Sequence, residues 1–298
     1  MCAFERSEKG MDFKMNFGVC LAGGGVKGAA HIGALKALEE ENIIIDYIGG
    51  TSSGSIVATL YALGYSPEEM YQIFEKYCKK IKYVDFSNII KLIFGLIFER
   101  KIVIDGLNNG KQIKKLINKV AKIKGIQNIS EIKMPLVMPS VNMCNGDLIC
   151  FASCNYRKEF SDNIIFVNNM EIGSAVRASC SYPVVFSPYE YGNEKLIDGG
   201  IRENVPWKEL KMLGANKVLS IMFDEKLTGN CDKNLVEVAD RSINLLCREL
   251  SNYEMDGADY VIKIKSPKVG LLDMSKIEEL YKLGYAQTKE QIKKFKLD

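Results

Sequence analysis

A pentapeptide of the form G-x-S-x-G occupies residues 50–54, where the chain reads Gly50-Thr51-Ser52-Ser53-Gly54. In this motif the central serine lies on a tight turn between a strand and a helix, and larger side chains at the two glycine positions would collide. The N-terminus of the following helix favours negative charge developing near the serine oxygen. The pattern selects Ser52 as a candidate nucleophile, because Ser53 and Ser55 lack flanking glycines. A plain glycine turn that caps a helix is the competing interpretation.

A glycine-rich loop lies upstream of this turn. Residues Gly23-Gly24-Gly25-Val26-Lys27-Gly28 match the pattern G-x-G-x-x-G. They follow an apolar segment, Phe17–Ala22, that is typical of a strand, and they open a predicted helix, Ala29–Glu40. In one interpretation the free N–H groups of this loop form an oxyanion hole. In the other they hold the pyrophosphate of a dinucleotide.

Two observations bear on the choice between those interpretations. The dinucleotide motif expects an acid at the end of the next strand, about 20 residues further on, whereas Asp46 precedes the segment Tyr47–Gly49. A phosphate loop of the Walker type is excluded, because no Gly-Lys-Ser/Thr follows the glycines. The oxyanion-hole hypothesis is therefore favoured, and a nicotinamide-dependent oxidoreductase is retained as the alternative.

The histidine count restricts the mechanism further. The chain has a single histidine, His31, and a serine nucleophile needs a base within hydrogen-bond reach. The α/β-hydrolase order places the histidine after the serine, and no histidine follows Ser52. A Ser-His-Asp triad of that type is therefore excluded by counting. We expect His31 to support the neighbouring glycine loop from a packed helix face.

A carboxylate is the remaining simple base. Asp198-Gly199-Gly200 follows the apolar residues Leu196 and Ile197, and two glycines after an acid permit a close approach of the backbone. An ordinary Asp-Gly turn is the competing interpretation, since such turns are common. If Asp198 acts as a base, we expect an apolar environment to raise its pKa, because an exposed carboxylate is a weak base.

Strands and helices alternate along most of the chain. We predict strands over 17–22, 47–49, 136–141, 147–152, 217–223 and 260–265, with a turn at Asn145-Gly146 between the third and the fourth. Helices are predicted over 29–40, 55–63, 67–80, 111–124, 172–179, 206–213, 235–250 and 275–295, the third with Ser66 as its N-cap and Glu69 at N3. This alternation is typical of an α/β sandwich with a mainly parallel sheet. We expect a loose segment over 1–13 and one domain over 14–298.

Composition excludes several other classes of function. The chain has 298 residues with 40 basic and 37 acidic side chains, so no strong field for nucleic acid is expected. The nine scattered cysteines form no C-x-x-C pair, which argues against a disulfide framework or a zinc site and favours a reducing, cytoplasmic location. No apolar run reaches the ~20 residues that a membrane span needs, so we expect any membrane contact to be peripheral.

Taken together, these motifs resemble those of the patatin-like phospholipase family. The resemblance rests on the order of three segments, residues 23–28, 50–54 and 198–200. The segment Ala175–Pro183 is similar to the stretch that usually precedes the aspartate loop, and Asn204 and Pro206 are similar to residues that usually follow it. The likeness extends from about Phe17 to Phe223.

The resemblance implies a fold, an activity and residue roles. The implied fold is a three-layer α/β sandwich around a mainly parallel central sheet. The implied activity is hydrolysis of lipid esters through an acyl-enzyme, with Ser52 as nucleophile and Asp198 as base in a dyad that needs no metal or cofactor. The backbone of residues 23–28 would supply the oxyanion hole. The other glycines would shape the nucleophile elbow and the aspartate loop: Gly50, Gly54, Gly199 and Gly200.

Three features concern how such an enzyme meets its substrate, a phospholipid or an acylglycerol. Lys27 stands where many members of the family carry arginine, which keeps the charge but loses bidentate contacts. The apolar stretch Ile89–Phe98 is either a lipid-facing wall or a buried core helix. Six lysines of the helix at 111–124 either contact anionic head groups or form a solvated face: Lys111, Lys114, Lys115, Lys119, Lys122 and Lys124. A binding protein that keeps the fold without turnover is a further alternative.

Overall fold

The architecture is an alternation of strands and helices, which a computed structural model describes over residues 16–78, 105–154, 163–225, 235–267, 269–270 and 273–295. The predicted loose segment 1–13 and the apolar stretch Ile89–Phe98 lie outside the described residues. Both therefore stay predictions, as does the assignment of residues 14–298 to one domain.

The described strands form one sheet. They are β1 (Phe17–Leu21), β2 (Tyr47–Gly50), β3 (Leu136–Asn142), β4 (Leu148–Ala152), β5 (Ile164–Val167), β6 (Tyr189–Tyr191), β7 (Glu194–Asp198), β8 (Lys217–Glu225) and β9 (Tyr260–Ser266). The main order is β5-β4-β3-β2-β1-β8-β9, and β7 pairs with both β3 and β6. In that order neighbours run parallel from β3 through to β9, whereas the β3–β4 pair is antiparallel. The predicted, mainly parallel α/β arrangement is thus confirmed.

The described α-helices connect these strands. They are α1 (Gly28–Glu40), α2 (Ser53–Ala62), α3 (Pro67–Cys78), α4 (Lys111–Ile123), α5 (Ile172–Ser179), α6 (Trp207–Met212), α7 (Leu235–Glu254) and α8 (Ile277–Ile292). The predicted capping box at the start of α3 is present, because Glu69 N–H donates to Ser66 Oγ and Ser66 N–H donates to the Glu69 carboxyl. None of these helices combines the length and the hydropathy needed to cross a bilayer.

The core lies on both faces of the sheet. In β1, Val19 and Leu21 belong to one cluster of buried apolar side chains, and Cys20 belongs to a second one. Since successive side chains of a strand point to opposite faces, the two clusters cover opposite sides. The first cluster includes Leu35 of α1 and the second includes Leu210 of α6, so helices cover both faces.

One edge of β3 is shared by two strands. Its first residues, Leu136 and Val137, pair in parallel with β2, and its last residues, Ser140 to Asn142, pair antiparallel with β7. Strand β7 therefore pairs with the part of this β3 edge that β2 does not reach. Because β7 runs in the opposite direction, its C-terminal residue Asp198, which pairs with Ser140, is the β7 residue nearest the C-terminal end of β2.

Sequence patterns locate most elements and miss three short strands. The hairpin between β3 and β4 turns at Gly146, with a φ of 80°, as the Asn-Gly pair predicts. Strands β5, β6 and β7 are not among the predicted strands, although the apolar pair before Asp198 lies in β7. Strand β6 spans only Tyr189–Tyr191, and an alternation of three residues is too short to distinguish a strand from a loop.

The first and last described helices cross at two glycines. A Cβ on Gly33 of α1 would overlap the carbonyl oxygen of Tyr281, and a Cβ on Gly284 of α8 would overlap that of Ala30. The two backbones are therefore in direct contact. Helix α1 is buried along most of its length, so α8 completes the cover of the helix that follows the glycine loop.

We predict that Gly284→Ala destabilises the protein although alanine favours helix formation by about 1 kcal/mol over glycine. The added methyl forces the helices apart, and overpacking of this kind costs about 1–3 kcal/mol beyond that gain. Urea unfolding followed by circular dichroism measures the change. Lys282→Ala, on the exposed face of α8, is the control and should shift stability by less than about 0.5 kcal/mol. A Gly284→Ala protein as stable as the wild type would contradict the close crossing.

Candidate active site

Ser52 lies on the turn between β2 and α2 in a strained conformation. Its φ is 53° and its ψ is −123°, a region that residues with a side chain rarely occupy. Its N–H donates to Ser179 Oγ at 3.2 Å, and its carbonyl accepts from Ser55 Oγ at 2.6 Å and from Cys180 Sγ at 3.2 Å. These contacts hold the strained peptide on both sides.

The two glycines of the turn are required by contact with backbone. A Cβ on Gly50 would overlap the carbonyl of Gly54, and a Cβ on Gly54 would overlap the carbonyl of Leu21. The start of α2 therefore packs directly on the ends of β1 and β2. This is the steric reason that the pentapeptide motif predicts, and it leaves the Ser52 side chain partly exposed above the sheet.

Asp198 ends β7 and is 1% exposed. Its N–H donates to the carbonyl of Ser181, and its Oδ1 accepts from the N–H of Gly200 at 2.9 Å. Among the described residues its Oδ2 makes no hydrogen bond of good geometry. A Cβ on Gly199 would lie 2.5 Å from the carbonyl oxygen of Pro139, so glycine there lets the loop turn against β3.

The pKa of Asp198 departs from that of an exposed aspartate. Burial raises it to about 6, as expected for a carboxyl removed from water. The Ser52 hydroxyl, the Gly200 N–H and the Arg177 guanidinium lower it in part. The hydroxyl of Ser52 thus lies beside the carboxyl of Asp198. The two groups expected to form a dyad lie together, with the carboxyl in the predicted desolvated environment.

Arg177 of α5 is a buried cation beside this carboxyl. It is 3% exposed. It donates to the carbonyl of Asn109 at 3.0 Å, to Ser181 Oγ at 2.6 Å and to the carbonyl of Ser187 at 2.6 Å. These three acceptors are neutral, so the positive charge stays available to favour the ionised form of Asp198.

The glycine loop lies directly against Ser52. A Cβ on Gly23 would lie 3.1 Å from Ser52 Cβ, and one on Gly28 would lie 3.1 Å from Ser53 Cβ. The Gly23 N–H donates to Asn204 Oδ1 at 2.9 Å. Among the described residues the structure gives no acceptor to the N–H groups of Gly24 and Gly25.

The other two residues of the loop point elsewhere. Val26 is 1% exposed and belongs to the core, so its side chain takes no part in the site. The Lys27 ammonium lies 5.8 Å from the centre of the Phe223 ring, and the same ring would be 2.9 Å from a Cβ on Gly24. Phe223 of β8 therefore supports the loop from one side, a contact that the sequence does not reveal.

His31 has the structural role expected of it. It is 0% exposed, its Nε2 lies 2.8 Å from the carbonyl oxygen of Ala22, and its ring contacts Phe223. Burial lowers its pKa to about 4, so the imidazole is neutral at pH 7 and donates this hydrogen bond. It thereby anchors the residue that precedes the glycine loop.

Three more carboxyls are buried behind the aspartate loop. Glu203, Glu209 and Glu254 are each exposed by less than a tenth, and burial raises the pKa of all three. Among the described residues, no group of three or more His, Cys, Asp or Glu side chains is arranged to hold a metal ion. The Glu254 carboxyl accepts from the N–H groups of Asn204 and Val205.

Comparison with known proteins identifies the family. Residues 19–211 match the family model described as Patatin-like phospholipase, a stretch that contains the glycine loop, Ser52 and Asp198. The chain belongs to the patatin-like phospholipase family. This membership indicates a lipid ester hydrolase and argues against the nicotinamide-dependent oxidoreductase.

Individual relatives match 62–68% of the chain. It is 28% identical over 204 residues to the lysophospholipase NTE1 of Meyerozyma guilliermondii, which covers 68% of this chain and 12% of the relative. It is 30% identical over 194 residues to the uncharacterized protein YqhO of Bacillus subtilis, covering 62% of this chain and 63% of that one. This chain therefore spans a small part of the length of the NTE1 protein.

Solved structures share the fold. VipD from Legionella pneumophila aligns with a TM-score of 0.54 and 18% identity, covering 94% of this chain and 67% of that chain. ExoU in its complex with SpcU from Pseudomonas aeruginosa aligns with a TM-score of 0.51 and 21% identity, covering 94% and 51%. At these identities the likeness shows the fold alone. Because both alignments cover 94% of this chain, the patatin-like phospholipase fold continues beyond residue 211.

We predict that Asp198→Asn stabilises the protein at pH 8. The pKa of Asp198 is raised from 3.8 to about 6, so the folded state binds the proton more tightly, and its stability falls as the pH rises through this range. Asparagine avoids this loss and keeps the Oδ1 contact with Gly200. The expected gain is about 1–3 kcal/mol at pH 8 and about half of that at pH 5.

Urea unfolding at the two pH values measures this difference. The exposed Asp256→Asn is the control, and its effect should stay within about 0.5 kcal/mol at both. If Asp198→Asn is instead less stable than the wild type at pH 8, the carboxylate is held by favourable contacts, and burial does not dominate its pKa.

Proposed function

We propose that the protein is a serine lipid acyl hydrolase in which Ser52 is the nucleophile and Asp198 the base. The observation that supports this best is the placement of a partly exposed serine, in a strained turn, against a buried carboxyl with a raised pKa. Perturbed carboxyls beside a nucleophile are typical of active sites. The Oδ2 of Asp198, which no described residue bonds, is the atom that would accept the serine proton.

In the first half-reaction the Ser52 oxygen attacks the ester carbonyl while its proton passes to Asp198. The tetrahedral oxyanion accepts hydrogen bonds from the N–H groups of Gly24 and Gly25, and one such donor is typically worth about 3 kcal/mol. The bond between the carbonyl carbon and the alcohol oxygen then breaks. The proton on Asp198 passes to the leaving alcohol or lysolipid, and an acyl-Ser52 remains.

In the second half-reaction water replaces the alcohol. Asp198 takes a proton from the water as the water oxygen attacks the acyl carbonyl, and the same N–H groups stabilise the second oxyanion. The Ser52–acyl bond breaks, the serine oxygen recovers its proton and a fatty acid is released.

The substrate class proposed is a phospholipid, a lysophospholipid or an acylglycerol, met at a membrane surface from the cytoplasmic side. The NTE1 relatives are named lysophospholipases, which favours a lipid ester. Two of the six lysines of residues 111–124 are engaged within the protein, which leaves fewer of them to contact a membrane surface. Lys114 pairs with Glu171 at 2.6 Å, and Lys124 donates to the carbonyl of Gly64 and lies 4.2 Å from the centre of the Tyr65 ring.

We predict that a fluorophosphonate labels the wild type at one serine and that Ser52→Ala abolishes both the labelling and the hydrolysis of short-chain esters. The probe forms a covalent bond only with an activated serine. Mass spectrometry of the labelled peptide, with rates on p-nitrophenyl esters, measures both. Ser242→Ala, on the exposed face of α7, is the matched control and should change neither. Labelling that persists in Ser52→Ala would refute the assignment.

We also predict that kcat/KM for an uncharged ester rises with pH and levels off above an apparent pKa near 6. Asp198 must be ionised to accept the Ser52 proton, and burial raises its pKa to about 6. A pH–rate profile gives the apparent pKa of this rise, the acid limb of the profile. Glu209→Gln tests the nearby buried carboxyls and should leave its position unchanged. A limb near pH 4, about the value of an exposed carboxyl, would contradict the role of Asp198.

A further inference from the structure

The amide of Asn204 is held at both ends and contacts the glycine loop. Its Oδ1 accepts from the Gly23 N–H at 2.9 Å, and its Nδ2 donates to Ser251 Oγ at 2.8 Å. Ser251 in turn donates to the carbonyl of Cys247 within α7 at 2.7 Å. Because its donor and its acceptor are both engaged, the Asn204 side chain has one orientation.

The main chain at Asn204 is held by the end of the same helix. The N–H of Asn204 lies 3.2 and 3.1 Å from the two carboxyl oxygens of Glu254, and the N–H of Val205 lies 3.2 Å from Oε2. Trp207 Nε1 donates to the carbonyl of Glu254 at 2.7 Å. The last turn of α7 therefore holds the segment after the aspartate loop by side chain and by backbone.

The same segment reaches the serine turn. The hydroxyl of Thr51, which is 0% exposed, donates to the carbonyl of Glu203 at 3.0 Å. Residues 203–205 therefore contact the residue before Ser52, the first peptide of the glycine loop and α7. A Cβ on Gly200 would also lie 3.2 Å from Asn204 Oδ1, so the aspartate loop packs on this amide as well.

We propose that Asn204, held by Ser251 and Glu254, is a positioning residue that sets the direction of the oxyanion donors in the glycine loop; this inference rests on the proposed function. Consecutive glycines allow the backbone many conformations. The N–H groups of Gly24 and Gly25 therefore need a restraint from outside the loop. The hydrogen bond to Gly23 fixes the peptide immediately before them. Ser251 and Glu254 lie outside residues 19–211, so this restraint comes from a part of the chain that the family model does not match.

The test is Asn204→Ala with steady-state kinetics on a soluble ester. A loop displaced by a fraction of an ångström no longer points both N–H groups at the developing oxyanion, and small misplacements of this kind cost up to about 100-fold in rate. We expect kcat to fall by about 10- to 100-fold with KM within about twofold. Asn252→Ala is the matched control, because it removes an exposed amide one residue from Ser251, and its kinetics should equal those of the wild type.

Ser251→Ala supplies a second test that leaves the Asn204–Gly23 contact in place. It frees only the far end of the amide, so we expect kcat to fall by about 3- to 10-fold with KM unchanged. In an Asn204→Ala background the same change should have no further effect on kcat, because the amide through which it acts is gone. All rates are measured at a temperature at which circular dichroism shows each variant folded, and Ser251→Ala alone decides if Asn204→Ala does not fold.

The outcomes separate this inference from the proposed function. An inactive, unlabelled wild type refutes the acyl hydrolase itself. An active wild type whose Asn204→Ala variant keeps kcat within about twofold refutes the positioning role and leaves the hydrolase intact. Effects of Asn204→Ala and Ser251→Ala that multiply in the double variant also refute it, because they indicate independent losses.

Discussion

The sharing of one strand edge by β2 and β7 is the constraint on which the candidate site depends. β2 pairs with the start of β3 and then leaves through the serine turn, and β7 pairs with the end of β3 in the opposite direction. Two residues far apart in sequence are thereby brought to one point by backbone hydrogen bonds. A shift of one residue in the β3–β7 register would turn the Asp198 side chain to the other face of the sheet.

The site combines groups that cost folding free energy with neighbours that stabilise them. The positive φ of Ser52 and the desolvated carboxyl of Asp198 both cost folding free energy. They persist because neighbouring groups hold them: Ser179 and Cys180 bond the strained peptide, and Gly200 bonds the carboxyl. These are the ordinary signs of a site whose geometry serves something other than stability.

The sequence predicts the local parts of this arrangement well, because their reasons are local. Gly50 and Gly54 are needed by contacts within one turn, and Asn145-Gly146 predicts its hairpin directly. The presence of a single histidine is enough to indicate a carboxylate as the candidate base. The desolvation of Asp198 is expected from the chemistry of a carboxylate base, and its burial confirms that expectation.

The parts that could not be predicted depend on contacts between distant segments. No pattern around Asn204 indicates that its amide bonds Gly23 on one side and Ser251 on the other. A phenylalanine such as Phe223 is common in any apolar strand, so its position in the sequence carries no specific signal. Only the fold places its ring against Gly24. Gly33 and Gly284 lie inside ordinary helical patterns, where a glycine merely lowers helix propensity. The need for glycine at both positions is apparent only from the contact between the two helices.

That crossing has a consequence for the order in which the molecule can assemble. Among the described helices, α1 is the first to leave the ribosome and α8 is the last. Until α8 has been synthesised, the Gly33 side of α1 lacks its native neighbour, and the loop that α1 anchors lacks its final support. Closing a contact over so much chain is entropically slow. Acquisition of a competent site is therefore expected only after α8 has left the ribosome and packed against α1.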